Sequence, residues 1–363
     1  MKHYIFYISN FKGGGAESVF IRVANSLVHK AKRVTFIVNK LQGELLKTID
    51  PRINIITLNS KSIFLDILFI GSFLKKNRFE RFYTTLNRPN LVGFIGSLLA
   101  GTKNKHFARV AAVHSETLLQ SKASKRKLLL YVLGFLYPKF GNLVSISEAV
   151  KLDLINKYQV PEKRILKIYN PKKPIDFSEP LPLLKDNNAP FRILVVGRLV
   201  EQKNVDKIIK VFVRFLEFET NSEILILGDG EKLPYLKQLV FNLKVEDKVR
   251  FMGFVENPSY YYQQSDVFIL FSSWEGLPNV VLDALVHNLQ IIVSDAPGGS
   301  CELIDNGKYG RIVANKDENA LLQAVIDARS KPMQVDNIAK QEFLCQFDLE
   351  HITNLYEGVM SDT

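Results

Sequence analysis

The sequence predicts an α/β protein built from two doubly wound parallel-sheet domains that face each other across a cleft. Two observations lead there. Short apolar runs of strand length alternate with segments of helical period along most of the chain, and that rhythm is interrupted once by a proline-rich stretch before it restarts. Length agrees, because 363 residues suffice for about two domains at roughly 100–200 residues each. A composition 47% hydrophobic and 23% charged is that of an ordinary globular chain, which excludes disordered and collagen-like classes.

The first half opens with a β-rich run, Tyr4–Ser9, then a glycine loop, then Ala16–His29, where Val19, Phe20, Val23, Ala24 and Leu27 recur at helical spacing. Arg33–Val38, Asn54–Leu58 and Arg81–Leu86 read as strands. Asn87-Arg88-Pro89-Asn90 reads as a loop ahead of a helix from Leu91 to Ala100, and His106–Val113 and Leu143–Ile146 complete the strand series. Such alternation implies a parallel sheet covered on both faces.

Five prolines, at 171, 174, 180, 182 and 190, mark a linker between Asn170 and Pro190. Beyond it come a strand at Arg192–Gly197, a helix at Val205–Phe218, a strand at Glu223–Gly228, a helix at Leu233–Leu243 and a strand at Val249–Phe251. A short helix at Tyr260–Ser265, a strand at Val267–Leu270, a helix at Asn279–Val286 and a strand at Gln290–Ser294 keep the rhythm. The expected division is residues 1–172, residues 190–345, and a C-terminal helix in 346–363 crossing back to the first domain.

Several classes of protein are excluded. Cys301 and Cys345 cannot form a disulfide framework and lack metal-ligand spacing, so a reducing compartment is expected. The best apolar runs, Ile63–Leu74 with Asp66 inside it and Leu128–Pro138, fall short of the roughly 18 residues a spanning helix needs, and Tyr4–Ile8 is too short for a signal-peptide core. A cytoplasmic location follows as the expectation. Charge is divided unevenly: residues 1–180 carry 30 Lys and Arg against 11 Asp and Glu, a net +19, whereas residues 181–363 carry 18 against 26, a net −8. A basic half suits an anionic surface or an acidic substrate, and nucleic acid is disfavoured because no aromatic-plus-basic signature or helix-turn-helix context accompanies the charge.

Three motifs stand where chemistry is expected. Gly13-Gly14-Gly15-Ala16-Glu17 joins the first strand to the first helix, where backbone N–H groups can receive an anion or a sugar. A dinucleotide fingerprint is not met, because Ser18 replaces its third glycine and no acid ends the next strand; a plain tight turn remains open. Arg198 follows the first strand of the second domain and Lys203 lies five residues on, a pair suited to gripping a diphosphate or simply to solvation. Glu275-Gly276-Leu277-Pro278-Asn279 leads into a helical run carrying Asp283. N–H groups of Gly276, Leu277 and Asn279 can face a sugar phosphate, and Asp283 can take two ribose hydroxyls; favourable helix-start electrostatics is the alternative.

Together with Gly197-Arg198-Leu199, Lys203-Asn204 and Gly228-Asp229-Gly230, these motifs resemble in order and spacing those of glycosyltransferase family 4. The resemblance covers the whole chain. It implies the GT-B fold of two Rossmann-like domains, a nucleotide-sugar donor, transfer with retention, and neither metal nor cofactor. It further implies that Gly14 and Gly15 approach the donor, that Arg198 and Lys203 clamp its diphosphate with Gly228 nearby, and that Glu275 contacts the transferred sugar. Met252–Phe254, with Met252 and Phe254 as its ends, resembles a base-recognition loop. Asp283 departs from the family's second Glu, which puts donor affinity in question.

His114, after a strand of the first domain, resembles a histidine that contacts sugar or acceptor, against a purely structural role. The Asn87-Arg88 loop resembles bacterial enzymes acting on undecaprenyl-diphosphate-linked oligosaccharides, against an ordinary turn. Lys122, Lys125, Arg126 and Lys127 precede an apolar helix and form a collar suited to an anionic bilayer, against a buried helix with a solvated start. The expected protein is thus a transferase, peripheral on the inner face of the cytoplasmic membrane, that moves a hexose or N-acetylhexosamine from a UDP-sugar to a lipid-linked glycan in bacterial surface polysaccharide assembly, lipopolysaccharide and O-antigen included. A UDP-sugar epimerase of GT-B fold and a non-catalytic partner in glycan assembly are the alternatives.

Overall fold

The computed structural model describes residues 1–12, 14–60, 62–121, 123–174 and 189–358. Gly13, Lys122, and the linker prolines at 180 and 182 lie outside the described residues. The chain divides into two compact units: Met1–Pro171 with Cys345–Thr363, and Lys172–Leu344.

Chain order in the first unit is β1 (His3–Ile8), α1 (Gly15–His29), β2 (Arg33–Val38), β3 (Asn54–Thr57), α2 (Ile63–Lys76), β4 (Arg81–Thr85), α3 (Asn87–Leu99), β5 (His106–Val110), α4 (His114–Leu119), α5 (Ser124–Leu136), β6 (Asn142–Ser145), α6 (Glu148–Tyr158) and β7 (Ile165–Lys167). The seven strands are all parallel, in the order β3-β2-β1-β4-β5-β6-β7. Alternation along β1 sorts the core into two layers. Tyr4, Phe6 and Ile8 pack with Phe20, Val23 and Leu27 of α1, whereas Ile5 and Tyr7 pack with Ile70 and Leu74 of α2 and Val92 of α3.

The second unit runs β8 (Phe191–Val196), α7 (Val205–Phe215), β9 (Ser222–Leu227), α8 (Leu233–Asn242), β10 (Val249–Gly253), α9 (Ser259–Gln264), β11 (Val267–Leu270), α10 (Asn279–Val286), β12 (Gln290–Ser294), α11 (Ser300–Leu303), β13 (Arg311–Val313), α12 (Glu318–Ser330) and most of α13 (Asn337–Cys345). Its six parallel strands lie in the order β10-β9-β8-β11-β12-β13. The last helix, α14 (Leu349–Glu357), belongs to the first unit, where Ile352 and Tyr356 join the α1 side of the core.

Strand order reverses between β1 and β4 in one sheet and between β8 and β11 in the other. Ligands of open α/β sheets bind outside the carboxyl ends of strands at these reversals, because the loops there diverge and leave a crevice.

Two sequence expectations are corrected. Asn87-Arg88-Pro89-Asn90 is not a loop but the first turn of α3, which ends at Leu99. Pro89 is tolerated because an N–H in the first turn has no intrahelical partner, and buried Asn90 ties the turn down by donating to the Arg109 carbonyl and accepting from Thr84 Oγ1. The strand beginning at His106 stops at Val110 rather than Val113.

Candidate functional site

At the reversal of the second sheet, the loops after β8 and β11 meet. Gly197 follows β8 with φ 154°, a glycine conformation, and a Cβ on Gly228, itself at φ 131°, would collide with the Gly197 carbonyl. Leu199 N–H donates to the Asp229 carbonyl at 2.9 Å, so the loops after β8 and β9 are interlocked. Arg198 projects from this locked loop and is exposed.

Lys203 lies at the end of a short helical turn, Glu201–Lys203, and Asn204 follows in the left-handed region at φ 49°. Asn204 is buried, and its amide donates to the Phe271 carbonyl and to Ser273 Oγ, both at 2.9 Å. Ser273 N–H in turn donates to the Gln202 carbonyl at 2.8 Å. These bonds stitch the Lys203 loop to the loop after β11 and bring two charges together: Lys203 Nζ donates to Glu275 Oε1 at 2.5 Å, both side chains mostly buried. The Glu275 backbone is fixed independently. Its N–H donates to the Pro297 carbonyl at 2.8 Å, and Gly298, at φ 140°, lies so close that a Cβ there would stand 2.5 Å from the Glu275 carbonyl oxygen.

Gly197, Arg198, Lys203 and Phe271 line one small cavity of about 10 Å³ at the end of β8. Beside it Pro278 caps α10, with Leu277 and Pro278 buried and Gly276 and Asn279 half-buried. Asp283, in the second turn of α10, is buried, and Lys173 Nζ stands 4.0 Å from its Oδ2. Met252 and Phe254 are exposed at the carboxyl end of β10. A flat ring could stack on such side chains, the diphosphate meeting Arg198 and Lys203.

At the reversal of the first sheet the surroundings differ. Gly14 caps α1 and Gly15 begins it, both exposed, but a Cβ on Gly14 would collide with the Glu17 carboxylate, which folds back over the helix start. An anion there would meet like charge, so this end suits sugar hydroxyls better than phosphate. Arg88, expected at an acceptor, donates to Asp66 Oδ2 at 2.6 Å. Asp66 is 1% exposed and also receives Asn39 Nδ2 at 2.6 Å. Asn87 starts α3 at the half-exposed edge beside it.

His114, expected to touch sugar or acceptor, is held inside the first unit. Its imidazole is buried, Nε2 lies 2.9 Å from the Leu130 carbonyl, Nδ1 lies 3.0 Å from the Tyr137 hydroxyl, and the rings of Tyr137 and Tyr158 meet it edge-on. Burial holds its pKa below the ordinary value. With Nε2–H donating and Nδ1 accepting, both nitrogens are used within the unit. Lys125, Arg126 and Lys127 are exposed on the first turn of α5. Sequence reasoning quoted Asn204 only as part of the Lys203-Asn204 motif, without its anchoring role, and missed Gly298, which lies against Glu275. The signal available for Gly298 was a glycine pair, Gly298-Gly299, following a strand.

Residues 183–342 match the profile of the family described as glycosyl transferases group 1. Over 329 residues, covering 88% of each chain, the protein is 24% identical to the N-acetylgalactosamine-N,N'-diacetylbacillosaminyl-diphospho-undecaprenol 4-alpha-N-acetylgalactosaminyltransferase of Campylobacter jejuni. A second Campylobacter jejuni enzyme, the GalNAc-alpha-(1->4)-GalNAc-alpha-(1->3)-diNAcBac-PP-undecaprenol alpha-1,4-N-acetyl-D-galactosaminyltransferase, is 26% identical over 96% of this chain and 95% of its own. Among solved structures, HepE of Anabaena in complex with UDP-glucose superposes with a TM-score of 0.80 over the full length of both chains at 18% identity, which shows the shared GT-B fold.

Proposed function

Taking as premise that the chain belongs to the glycosyltransferases, with residues 183–342 in the group 1 family, we propose that it transfers a hexose or N-acetylhexosamine from a UDP-sugar, with retention, to an undecaprenyl-diphosphate-linked glycan. The observation that carries the donor half of this reading is the Lys203–Glu275 pair at the reversal of the second sheet, beside exposed Arg198. An ammonium has three N–H donors, so Lys203 Nζ can keep Glu275 with one and hold a phosphate oxygen with another. Arg198 then takes the remaining phosphate charge. Glu275, fixed by Pro297, Gly298 and Lys203, is left to orient the sugar hydroxyls.

In the reaction the bond from the anomeric carbon to the diphosphate breaks while a bond to an acceptor hydroxyl forms on the same face. The hydroxyl proton passes to the departing phosphate oxygen. Arg198 and Lys203 stabilise the charge that develops there, the effect expected of preorganised cations in a partly dry site. UDP as the nucleotide is supported by Met252 and Phe254 at the β10 end and by the UDP-glucose bound to the structural relative. The lipid-linked acceptor is supported by the two Campylobacter jejuni relatives, and attachment to an anionic membrane by the +19 of residues 1–180.

The test is a panel of UDP- and GDP-sugars incubated with the protein and an undecaprenyl-diphosphate-linked acceptor, read by mass spectrometry. The expected result is a lipid product heavier by one sugar, with UDP released only when acceptor is present. Interconversion of the donor sugar without acceptor would replace this reading with an epimerase. A chain inert toward every donor would be a binding partner.

A further inference from the structure

Helix α2 is apolar on both faces: Ile70 and Leu74 lie buried in the core, and the outward face is apolar too. Its outward residues Ile63, Phe64, Leu65, Leu68 and Phe69 are all exposed apolar side chains, Phe64 to 66%, whereas its one carboxylate, Asp66, faces inward and is tied to Arg88 and Asn39. Surface helices of soluble domains carry charged and polar residues on the outward face instead. The neighbouring α5 repeats the feature, with Leu128, Tyr131, Val132 and Phe135 exposed at helical spacing and Leu130 and Leu133 buried beneath. Between them lies α3, which packs on both and ends in exposed Leu98 and Leu99. Gly71 of α2 and Gly96 of α3 let the two backbones approach closely, a Cβ on Gly96 standing 2.6 Å from Ile70, and α3 also contacts α5, which joins the three helices side by side.

The surrounding charges narrow the occupant. Apart from Asp66, α2, α3 and α5 contain no acidic residue, while Lys75 and Lys76 end α2 and Lys125, Arg126 and Lys127 open α5. Cations in the first turn of a helix oppose its dipole, an arrangement that an anionic partner relieves. A second copy of this chain docked on the same face would bring these cations against their counterparts. At 14 residues α2 is too short to span a bilayer, and no described helix is long and apolar enough to do so.

We propose that the joined face of α2, α3 and α5 lies in the headgroup and upper acyl layer of an anionic lipid bilayer, with Phe64, Leu65, Leu68 and Phe69 inserted and the lysines of α2 and α5 on the phosphates. This goes beyond electrostatic attachment, because insertion of apolar side chains persists when salt screens the charges. It also adds α2 to the sequence expectation, which rested on the +19 of residues 1–180 and on Lys122, Lys125, Arg126 and Lys127 ahead of the apolar α5 run.

The experiment uses the full chain and vesicles of phosphatidylcholine with phosphatidylglycerol. Emission of a Phe64→Trp variant, corrected for native Trp274, should shift blue and be quenched by lipids brominated on their acyl chains. The double substitution Leu65→Ser with Leu68→Ser should weaken partition at least about tenfold while the melting temperature stays within two degrees or so, because both side chains point outward. About half a molar salt should reduce wild-type binding without abolishing it. Absence of quenching, partition unaffected by the double substitution, or a salt-sensitive interaction lost completely would overturn insertion. Self-association that the same substitutions abolish would assign the face to a second copy. Neither donor nor acceptor enters the assay, so failure here leaves the transferase reading intact, and the converse holds.

Discussion

The two sheets share one architecture and use it for opposite ends. Each reverses strand order at its centre, and each places cations at or just beyond the carboxyl-terminal part of central strands. In the first unit those cations are spent inside the fold: Arg88 on buried Asp66, and Arg109, 1% exposed, on Thr85 and Asn170. In the second unit Arg198 is exposed, and Lys203 gives one of its three N–H donors to Glu275. The reversal point therefore supplies a place for chemistry, and the pairing of its side chains decides whether that place holds a ligand or holds the protein together.

The sharpest way to break this contrast is Glu275→Gln. It removes the charge from the partner of Lys203 but keeps a hydrogen-bond acceptor there, so the chain should fold while turnover falls on the order of a hundredfold or more. Turnover near wild type, with an unchanged melting temperature, would remove Glu275 from the reaction.

Next in size is a matched pair. Arg198→Ala should leave stability unchanged, since the side chain is exposed, and weaken donor affinity about tenfold to a hundredfold, the worth of one charged hydrogen bond. Arg88→Ala should do the reverse. It leaves the Asp66 carboxylate buried with Asn39 as its remaining described partner, at a cost of about 3–5 kcal/mol in stability, with donor affinity unaltered. If Arg88→Ala instead lowers turnover in a fully stable chain, Arg88 acts on the acceptor and the contrast between the units fails.

Asp283→Ala probes the residue that departs from the family's usual Glu. A ribose contact is present in ground and transition states alike, so the donor KM should rise about tenfold or more with kcat little changed, and Asp283→Glu should be tolerated. A change below about threefold would reduce Asp283 to the helix electrostatics of α10 and its neighbour Lys173.

Most of this was legible in the sequence for a simple physical reason. Strand length, helical period and glycine at φ-demanding loop positions are local properties, and they located the alternating elements and the Arg198, Lys203 and Glu275 loops. What escaped was pairing at a distance. Asp66 looked like an interruption of an apolar run and proved to be its anchor, because its partner Arg88 lies 22 residues away on another helix. His114 reads as following directly on a strand, yet the strand stops at Val110, and the buried ring packs against Tyr137 and Tyr158. The apolar run of α2 reads as too short to span a membrane, whereas the informative fact is that its outward face is apolar as well as its inward one.

The smallest expected effect separates the units by acid. His3, His106 and His114 all lie in the first unit, all buried, and burial lowers the pKa of each, that of His106 to about 3. A histidine kept neutral in the fold binds its proton only on unfolding, so the unfolded state is favoured progressively as pH falls below about 6.5. The contribution is fully present above that value and is lost on the way down to about pH 3 for His106, at up to about 1.4 kcal/mol per pH unit. The second unit contains the single tryptophan, Trp274, so its fluorescence follows that unit while circular dichroism follows both. Melting between pH 7 and pH 4 should show the dichroism transition moving to lower temperature faster than the tryptophan transition. His106→Asn, whatever it does to stability at pH 7, removes one titrating group and should flatten the slope for the first unit alone. A slope unchanged by that substitution would mean that the acid sensitivity arises from groups other than this buried imidazole.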